Sequence, residues 1–198
     1  MELSTSAVPP TRPRRADARR NYDRLIAAAQ AAFAQDGPEA SLDGISRAAG
    51  VGAGTLYRHF PNRRTLLEAV YQERIAELCT LGPQLATEHQ PVEALSLWLR
   101  GVAEHGLLYR GLKDVLMADP GDDGRPTDFS WCADQMRRTS QALLQRAQAA
   151  GQVSAEVQAG DLLRLMHGVV LSASHLAEPE RTATTDRLLG LVLNGLRG

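Results

Sequence analysis

The stretch Leu42-Asp-Gly-Ile-Ser-Arg-Ala-Ala-Gly50-Val-Gly-Ala-Gly-Thr55-Leu-Tyr-Arg-His-Phe60 decides how the rest of the chain is read. Ser41 stands just before it as a capping residue, and Leu42, Ile45 and Ala48/Ala49 recur at helical spacing until Gly50 ends the run. A further short helix covers Ala53 to Phe60 and is closed by Pro61. Two short helices joined by a tight, glycine-bearing turn form the helix-turn-helix layout. Ile45, Ala49, Val51, Leu56 and Phe60 are spaced to pack the pair together. Ala53, Gly54, Thr55, Tyr57, Arg58 and His59 are then left on the N-terminal and outer face of the second helix. In such a motif that helix enters the major groove, and hydroxyl, imidazole and guanidinium groups suit phosphates and base edges.

The glycines of Gly50-Val-Gly52-Ala-Gly54 also have the look of a phosphate loop. A dinucleotide site needs a hydrophobic strand before the glycines, and here Ile45–Ala49 is short and helical. The lysine of a Walker loop is missing as well. The helix-turn-helix reading is therefore preferred.

Working outward, the pattern stays helical. Upstream, Leu25, Ala29, Ala32 and Phe33 share a helical face that Gly37-Pro38 stops. Before it, residues 1–18 carry three prolines and several arginines and read as a disordered basic arm. Downstream, Asn62 caps a longer helix with Leu66, Leu67, Ala69, Val70, Ile75 and Leu78, which Leu81-Gly82-Pro83 is expected to break. Pro91 opens another helix through Trp98, His105 and Tyr109. Asp119 to Pro126 reads as a loop, and Phe129 to Ala150 as a helix with Gly151 as its stop. Two final helices run from about Gln158 to Leu176 and from Thr185 to Leu196. No alternating β pattern or long repeat stands out. The expectation is an all-α protein of about nine helices: an arm (1–18), a helix-turn-helix head (19–78) and a helical body (79–198).

Composition and charge agree with this plan. The chain has 198 residues, 43% hydrophobic and 23% charged, ordinary values for a globular protein with a real core. No apolar run approaches the roughly 18 residues of a membrane span, and the N-terminus lacks the apolar stretch of a secretory signal. A cytoplasmic location without membrane attachment is expected. The formal net charge of −1 argues against nucleic acid only until it is divided: residues 1–74 carry +3 and residues 75–198 carry −4. Lys113 is the one lysine among 22 basic residues. Arginine suits bidentate phosphate contacts.

Residues 24–70 resemble the DNA-binding domain of the TetR family of bacterial transcriptional regulators. The matching residues are Leu25-Ile26-Ala27-Ala28-Ala29, Phe33, Gly37, Leu42, Ile45 and Ala48-Ala49-Gly50-Val51. They continue with Gly54-Thr55-Leu56-Tyr57-Arg58-His59-Phe60-Pro61, Asn62-Arg63-Arg64 and Leu66-Leu67. Gly52 departs from the hydroxyl residue common there as a cap, and Ala53 from a frequent polar contact residue. The Thr55–Pro61 wording, with Ala69-Val70-Tyr71, resembles a subgroup whose C-terminal domains are SbtR-like.

The resemblance implies that Thr55, Tyr57 and His59 touch DNA, Tyr57 and His59 mainly at phosphates, while Ala53 and Gly54 allow close approach to bases. Arg58 faces the backbone or the solvent. It makes Ser41 a phosphate contact at a helix start, Arg63 and Arg64 phosphate clamps, and Arg19 and Arg20 contacts along or in the minor groove. The remainder is implied to be a ligand-binding and dimerisation body. Trp98, His105, Tyr109, Met117, Trp131, Met136 and His167 are its candidate ligand residues, each with plain core packing as the competing reading. Leu162, Met166, Val169, Val170, Leu188, Leu189, Val192 and Leu196 form an apolar surface wider than one core-facing stripe and are the candidate dimer interface. Gly168, Ala173 and Gly190 would let helices approach there.

The expected function is a ligand-responsive repressor, released from a palindromic operator on double-stranded DNA when a small molecule binds the body of the homodimer. Two other classes compete with it. One is a helical sequestering protein with a vestigial DNA head. The other is an enzyme, for which no Ser/His/Asp, Cys/His or paired-carboxylate arrangement is indicated. No catalytic residue, metal site or cofactor is expected. Cys79 and Cys132 belong to no metal-binding spacing and read as structural thiols.

Overall fold

The computed structural model describes residues 13, 15–118 and 129–196. Its described residues form eight helices and no strand: α1 (Ala16–Asp36), α2 (Leu42–Ala48), α3 (Ala53–His59), α4 (Arg63–Glu88), α5 (Pro91–Ala118), α6 (Ser130–Ala149), α7 (Ala159–Ala173) and α8 (Glu180–Gly195). The all-α reading holds. None of these helices is long and apolar enough to cross a membrane. The chain divides into two compact units, the first reaching Arg74 and taking in Leu108–Trp131, the second made of Ile75–Leu107 and Cys132 onward.

The core of the first unit follows from helical periodicity. Tyr22, Leu25, Ile26, Ala29 and Phe33 line one face of α1 and are buried together with Ile45 of α2, Leu56 of α3 and Leu66, Leu67 and Val70 of α4. Each large apolar side chain enclosed in this way stabilises the fold by about 1.5–3 kcal/mol. Tyr109, Leu112 and Leu116 at the C-terminal end of α5 belong to the same cluster. The head thus recruits a helix from late in the sequence, which a boundary at 78/79 leaves out. Fixed spacing within one segment cannot announce a partner forty residues away.

In the second unit Leu95, Trp98 and Leu99 of α5 pack with Leu143 and Leu144 of α6 and with Leu162 and Met166 of α7. The Trp98 indole donates to the Leu78 carbonyl oxygen at 3.0 Å. The expected break at Leu81-Gly82-Pro83 does not occur, since α4 continues to Glu88 with Pro83 inside it. Pro83 removes one backbone donor, and burial of Leu85 beyond it favours the continued helix. Gly82 serves a different purpose from a stop. A Cβ placed there would lie 2.4 Å from Cγ2 of Thr139 on α6, so glycine is what lets the two helices approach.

Other boundaries shift for local reasons. Helix α1 begins at Ala16, inside the expected arm, and the rest of that arm, apart from residues 13 and 15, lies outside the described residues, as does the loop 119–126. Helix α8 begins at Glu180, not at Thr185. The Glu178 carboxylate accepts bonds there from Thr182 Oγ1 at 2.8 Å and Arg181 Nε at 2.9 Å, and these bonds, the threonine's first, hold its pKa below the ordinary value.

Candidate nucleic-acid interface

The interface is assembled from three helix starts. Ser41 caps α2: its hydroxyl accepts from Gly44 N at 3.2 Å, while its carbonyl accepts from Ile45 N at 2.9 Å. The α2–α3 turn needs Gly50, which sits at φ +63°, a left-handed conformation that side-chain-bearing residues rarely adopt. Val51 N then donates to the Ser46 carbonyl at 3.0 Å and closes the turn. Gly52 caps α3 through its carbonyl alone, accepting from Thr55 N at 2.9 Å, so no side chain covers that helix start.

Helix α3 buries Leu56 and presents the rest. Tyr57 is 48% exposed, a large aromatic left in solvent beside the exposed Arg58. Ala53 and Gly54 are exposed, and a Cβ at Gly54 would meet nothing within 4 Å, so this edge is open to close approach. Thr55 and His59 are half-buried. The His59 ring meets the buried Tyr22 ring at 6.1 Å, and Tyr22 in turn lies 5.3 Å from Phe60. Burial, then the neighbouring Arg58 charge, lowers the His59 pKa below its ordinary value. Sequence reasoning does not single out Tyr22, although it stands three residues before Leu25 on the same apolar face.

The arginines divide into two groups. Arg19 and Arg20 lie exposed on the first turn of α1, Arg20 paired with Asp17. Arg63 and Arg64 are otherwise engaged. Arg63 Nη1 donates to both the Pro38 and the Ala40 carbonyls, each at 2.7 Å. Arg64 Nε pairs with Glu68 at 3.1 Å, and its side chain is largely enclosed. Both are expected as phosphate clamps; in this structure their guanidinium groups hold protein oxygens. Asn62 accepts from Thr65 N at 2.9 Å and fixes the start of α4 beside them.

Two sequence models match the chain. Residues 25–70 match the bacterial regulatory proteins of the TetR family, and residues 90–198 match the C-terminal domain of SbtR-like transcriptional regulators. The second match spans more than half of the chain. The chain belongs to the TetR family. It is a TetR-family transcriptional regulator with an N-terminal DNA-binding domain. It is 38% identical to a TetR transcriptional regulator of Streptomyces coelicolor, with 88% of this chain and 97% of that one covered at a TM-score of 0.76. A TetR regulatory protein of Mycobacterium vanbaalenii is 30% identical, with 94% and 100% covered at a TM-score of 0.72. The HTH-type regulator TtgW of Pseudomonas putida is 42% identical over 60 residues, a match covering 30% of this chain and 45% of that protein.

The residues expected to hold an effector are divided between the two units. Trp98, His105 and Met136 belong to the second unit, where Trp98 and His105 are buried and the Met136 sulfur lies 3.9 Å from Cys79 Sγ. Tyr109 sits in the core of the first unit with the Arg74 guanidinium 5.5 Å over its ring. Trp131 is half-buried in that unit, and Met117 is 58% exposed. His167 is exposed on α7. A cleft of about 520 Å³ does lie in the first unit between α1 and α2, with alanines making up half of its lining and none of these residues in it. Helical spacing marks which side chains leave the solvent. It cannot say whether they enter a cavity or a core.

The residues of the expected dimer set lie largely inside the second unit. Leu162, Met166, Val169, Val170, Leu189 and Leu196 are buried within the second unit, and Leu188 and Val192 are half-buried against the same core. A side chain already enclosed by its own unit has little left to offer a partner. The leucines that α7 and α8 leave exposed are Leu165, Leu171 and Leu191. A Cβ at Gly168 or Gly190 would meet nothing within 4 Å, so both faces are open.

Proposed function

We propose that this TetR-family regulator is a ligand-responsive repressor that binds a palindromic operator as a homodimer and is released by a small molecule. The observation that carries the DNA-reading part is α3 itself, a helix whose start is free of any side-chain cap and whose outer face leaves Gly54, Tyr57 and Arg58 in solvent. Tyr57 and His59 would hold phosphates, and Ala53, Gly54 and Thr55 would meet base edges. Arg19 and Arg20 would add contacts from α1.

Pairing of two chains is supported by the exposed leucines and open glycines of α7 and α8, where close helix packing would bury apolar surface. The effector would act from the C-terminal domain, and only through a difference in its affinity for the DNA-bound and free states. A cytoplasmic, non-enzymatic protein without a cofactor fits this reading.

Selection of duplexes from a random pool, with binding then measured on the enriched sequence, tests it. Enrichment of an inverted repeat is expected. A pool that shows no preferred sequence would overturn the reading and favour a sequestering protein.

A further inference from the structure

We propose that Arg63 is a positioning residue, one that holds the start of α2 in place for DNA instead of touching DNA; this rests on the proposed reading that α2 and α3 form the interface. The first observation is the pair of bonds from one nitrogen. Arg63 Nη1 lies 2.7 Å from the oxygens of both Pro38 and Ala40, two residues apart in the turn between α1 and α2. Charge-assisted bonds of this kind are stronger than neutral ones, and two carbonyls aimed at one cation fix the curvature of the turn.

The second observation is the position of Arg63 in its own helix. It is the first residue of α4, where the positive end of the helix disfavours a cation. The arginine therefore gains nothing from its own helix, and the contacts it makes are across the chain. Its anchor is well defined: Asn62 accepts from Thr65 N at 2.9 Å, and Thr65 Oγ1 donates to the Asn62 carbonyl at 2.8 Å.

The third observation concerns the residues at the end of the turn. Ala40 is buried, and Ser41 comes directly after it as the cap of α2. Ser41 organises the first turn of α2 through Gly44 N and Ile45 N, and Ile45 packs in the same core as Leu56 of α3. Arg63 thus sets where α2 begins, and α2 with its turn sets where α3 is presented. The same turn lies close to α5: a Cβ added at Gly111 would be 3.5 Å from Cδ of Pro38.

The test compares Arg63→Met, which keeps bulk but neither charge nor donors, with Arg63→Gln, which keeps an N–H₂ donor without the charge. Binding to the selected operator and to a random duplex is measured over a salt series, on protein shown by melting to be folded at the working temperature. Hydrogen exchange at Gly44 and Ile45 is measured in the free protein. For Arg63→Met the expected result is operator affinity about tenfold weaker at every salt concentration, a salt slope unchanged, random-duplex binding unchanged and faster exchange at both amides. Arg63→Gln is expected to recover part of the affinity.

A slope lower by about 0.9 in both variants would mean one lost phosphate contact and would overturn the proposal. Operator affinity equal to wild type in a folded Arg63→Met protein would also overturn it, whatever its melting temperature. If Arg63→Met does not fold, Arg63→Gln alone decides through its salt slope. A wild-type chain that prefers no sequence sinks the function reading and this one together. A wild type that prefers one, read equally well by both variants, sinks this one alone.

Discussion

The ring of Tyr22 meets that of His59 edge-on, with centroids 6.1 Å apart and planes inclined at 70°. Tyr22 is buried and belongs to α1, while His59 is the last residue of α3. The contact ties the end of the exposed helix to the core of its unit. It also removes water from one side of the imidazole, and that desolvation, together with the smaller effect of the Arg58 charge, lowers the His59 pKa below its ordinary value.

That shift implies a pH dependence. In the free protein the proton is disfavoured at His59, whereas a phosphate beside it would favour the proton. Operator binding then takes up a proton in the window between the lowered free-state pKa and the higher bound-state pKa. Affinity should rise as pH is lowered through that window, by at most about tenfold per pH unit for each of the two heads of a dimer, and level off below the free-state pKa. His59→Gln should bind with a flat profile across the same range. An unaltered profile in that variant would take His59 out of the interface.

Gly82 and Thr139 give a prediction about packing. Gly82→Ala would set a methyl carbon 2.4 Å from Thr139 Cγ2, so α4 and α6 must separate or a side chain must turn. A loss of about 1–3 kcal/mol is expected, the range for forced overpacking. Thr139→Ser removes the obstructing methyl and should restore most of the loss when combined with Gly82→Ala. Thermal or denaturant melts of the two single variants and the double variant check this. Additive losses would show that the clash is relieved elsewhere.

These two pairs also show what a sequence can disclose. The helix-turn-helix is legible because its signals are local: a capping serine, an apolar period, and a glycine where the turn needs φ +63°. Gly82-Pro83 carries the same signals and means something else. Its glycine answers to Thr139, 57 positions away, and its proline is carried by packing. Arg63 is of the same kind, since its chemistry suits a phosphate and its neighbours are two carbonyls. The apolar spacing of α7 and α8 marks side chains that leave solvent, and most of them do. Whether they leave it for their own core or for a second chain depends on which helix lies opposite, and spacing does not encode that.

The exposed leucines of α7 and α8 carry the prediction for assembly. Leu165→Glu together with Leu191→Glu places charge on the open faces beside Gly168 and Gly190 without entering the core of the unit. The variant should remain folded, because these side chains are 46% and 63% exposed in the single chain. Sedimentation or light scattering should show a dimer for the wild type and a monomer for the variant at the same concentration. Operator affinity should fall with it, since one head spans one half-site. A variant that stays dimeric would place the interface elsewhere.

Ser41 allows two roles of one hydroxyl to be separated. As the cap of α2 it accepts from Gly44 N at 3.2 Å, and it is exposed at a helix start where a phosphate would also bind. Ser41→Ala removes both roles and should cost about 1 kcal/mol of stability along with operator affinity. Ser41→Asp keeps a side-chain acceptor and adds a negative charge favoured by the helix dipole, so its stability should match the wild type. Its affinity for operator should nonetheless fall further than that of Ser41→Ala, because a carboxylate repels a phosphate where an alanine merely fails to bond it. The separation of the two variants should be greatest at low salt and shrink as salt is raised. If Ser41→Asp were both as stable and as tight-binding as the wild type, no phosphate would approach the start of α2, and the DNA contacts would be confined to α3 and the arginines of α1.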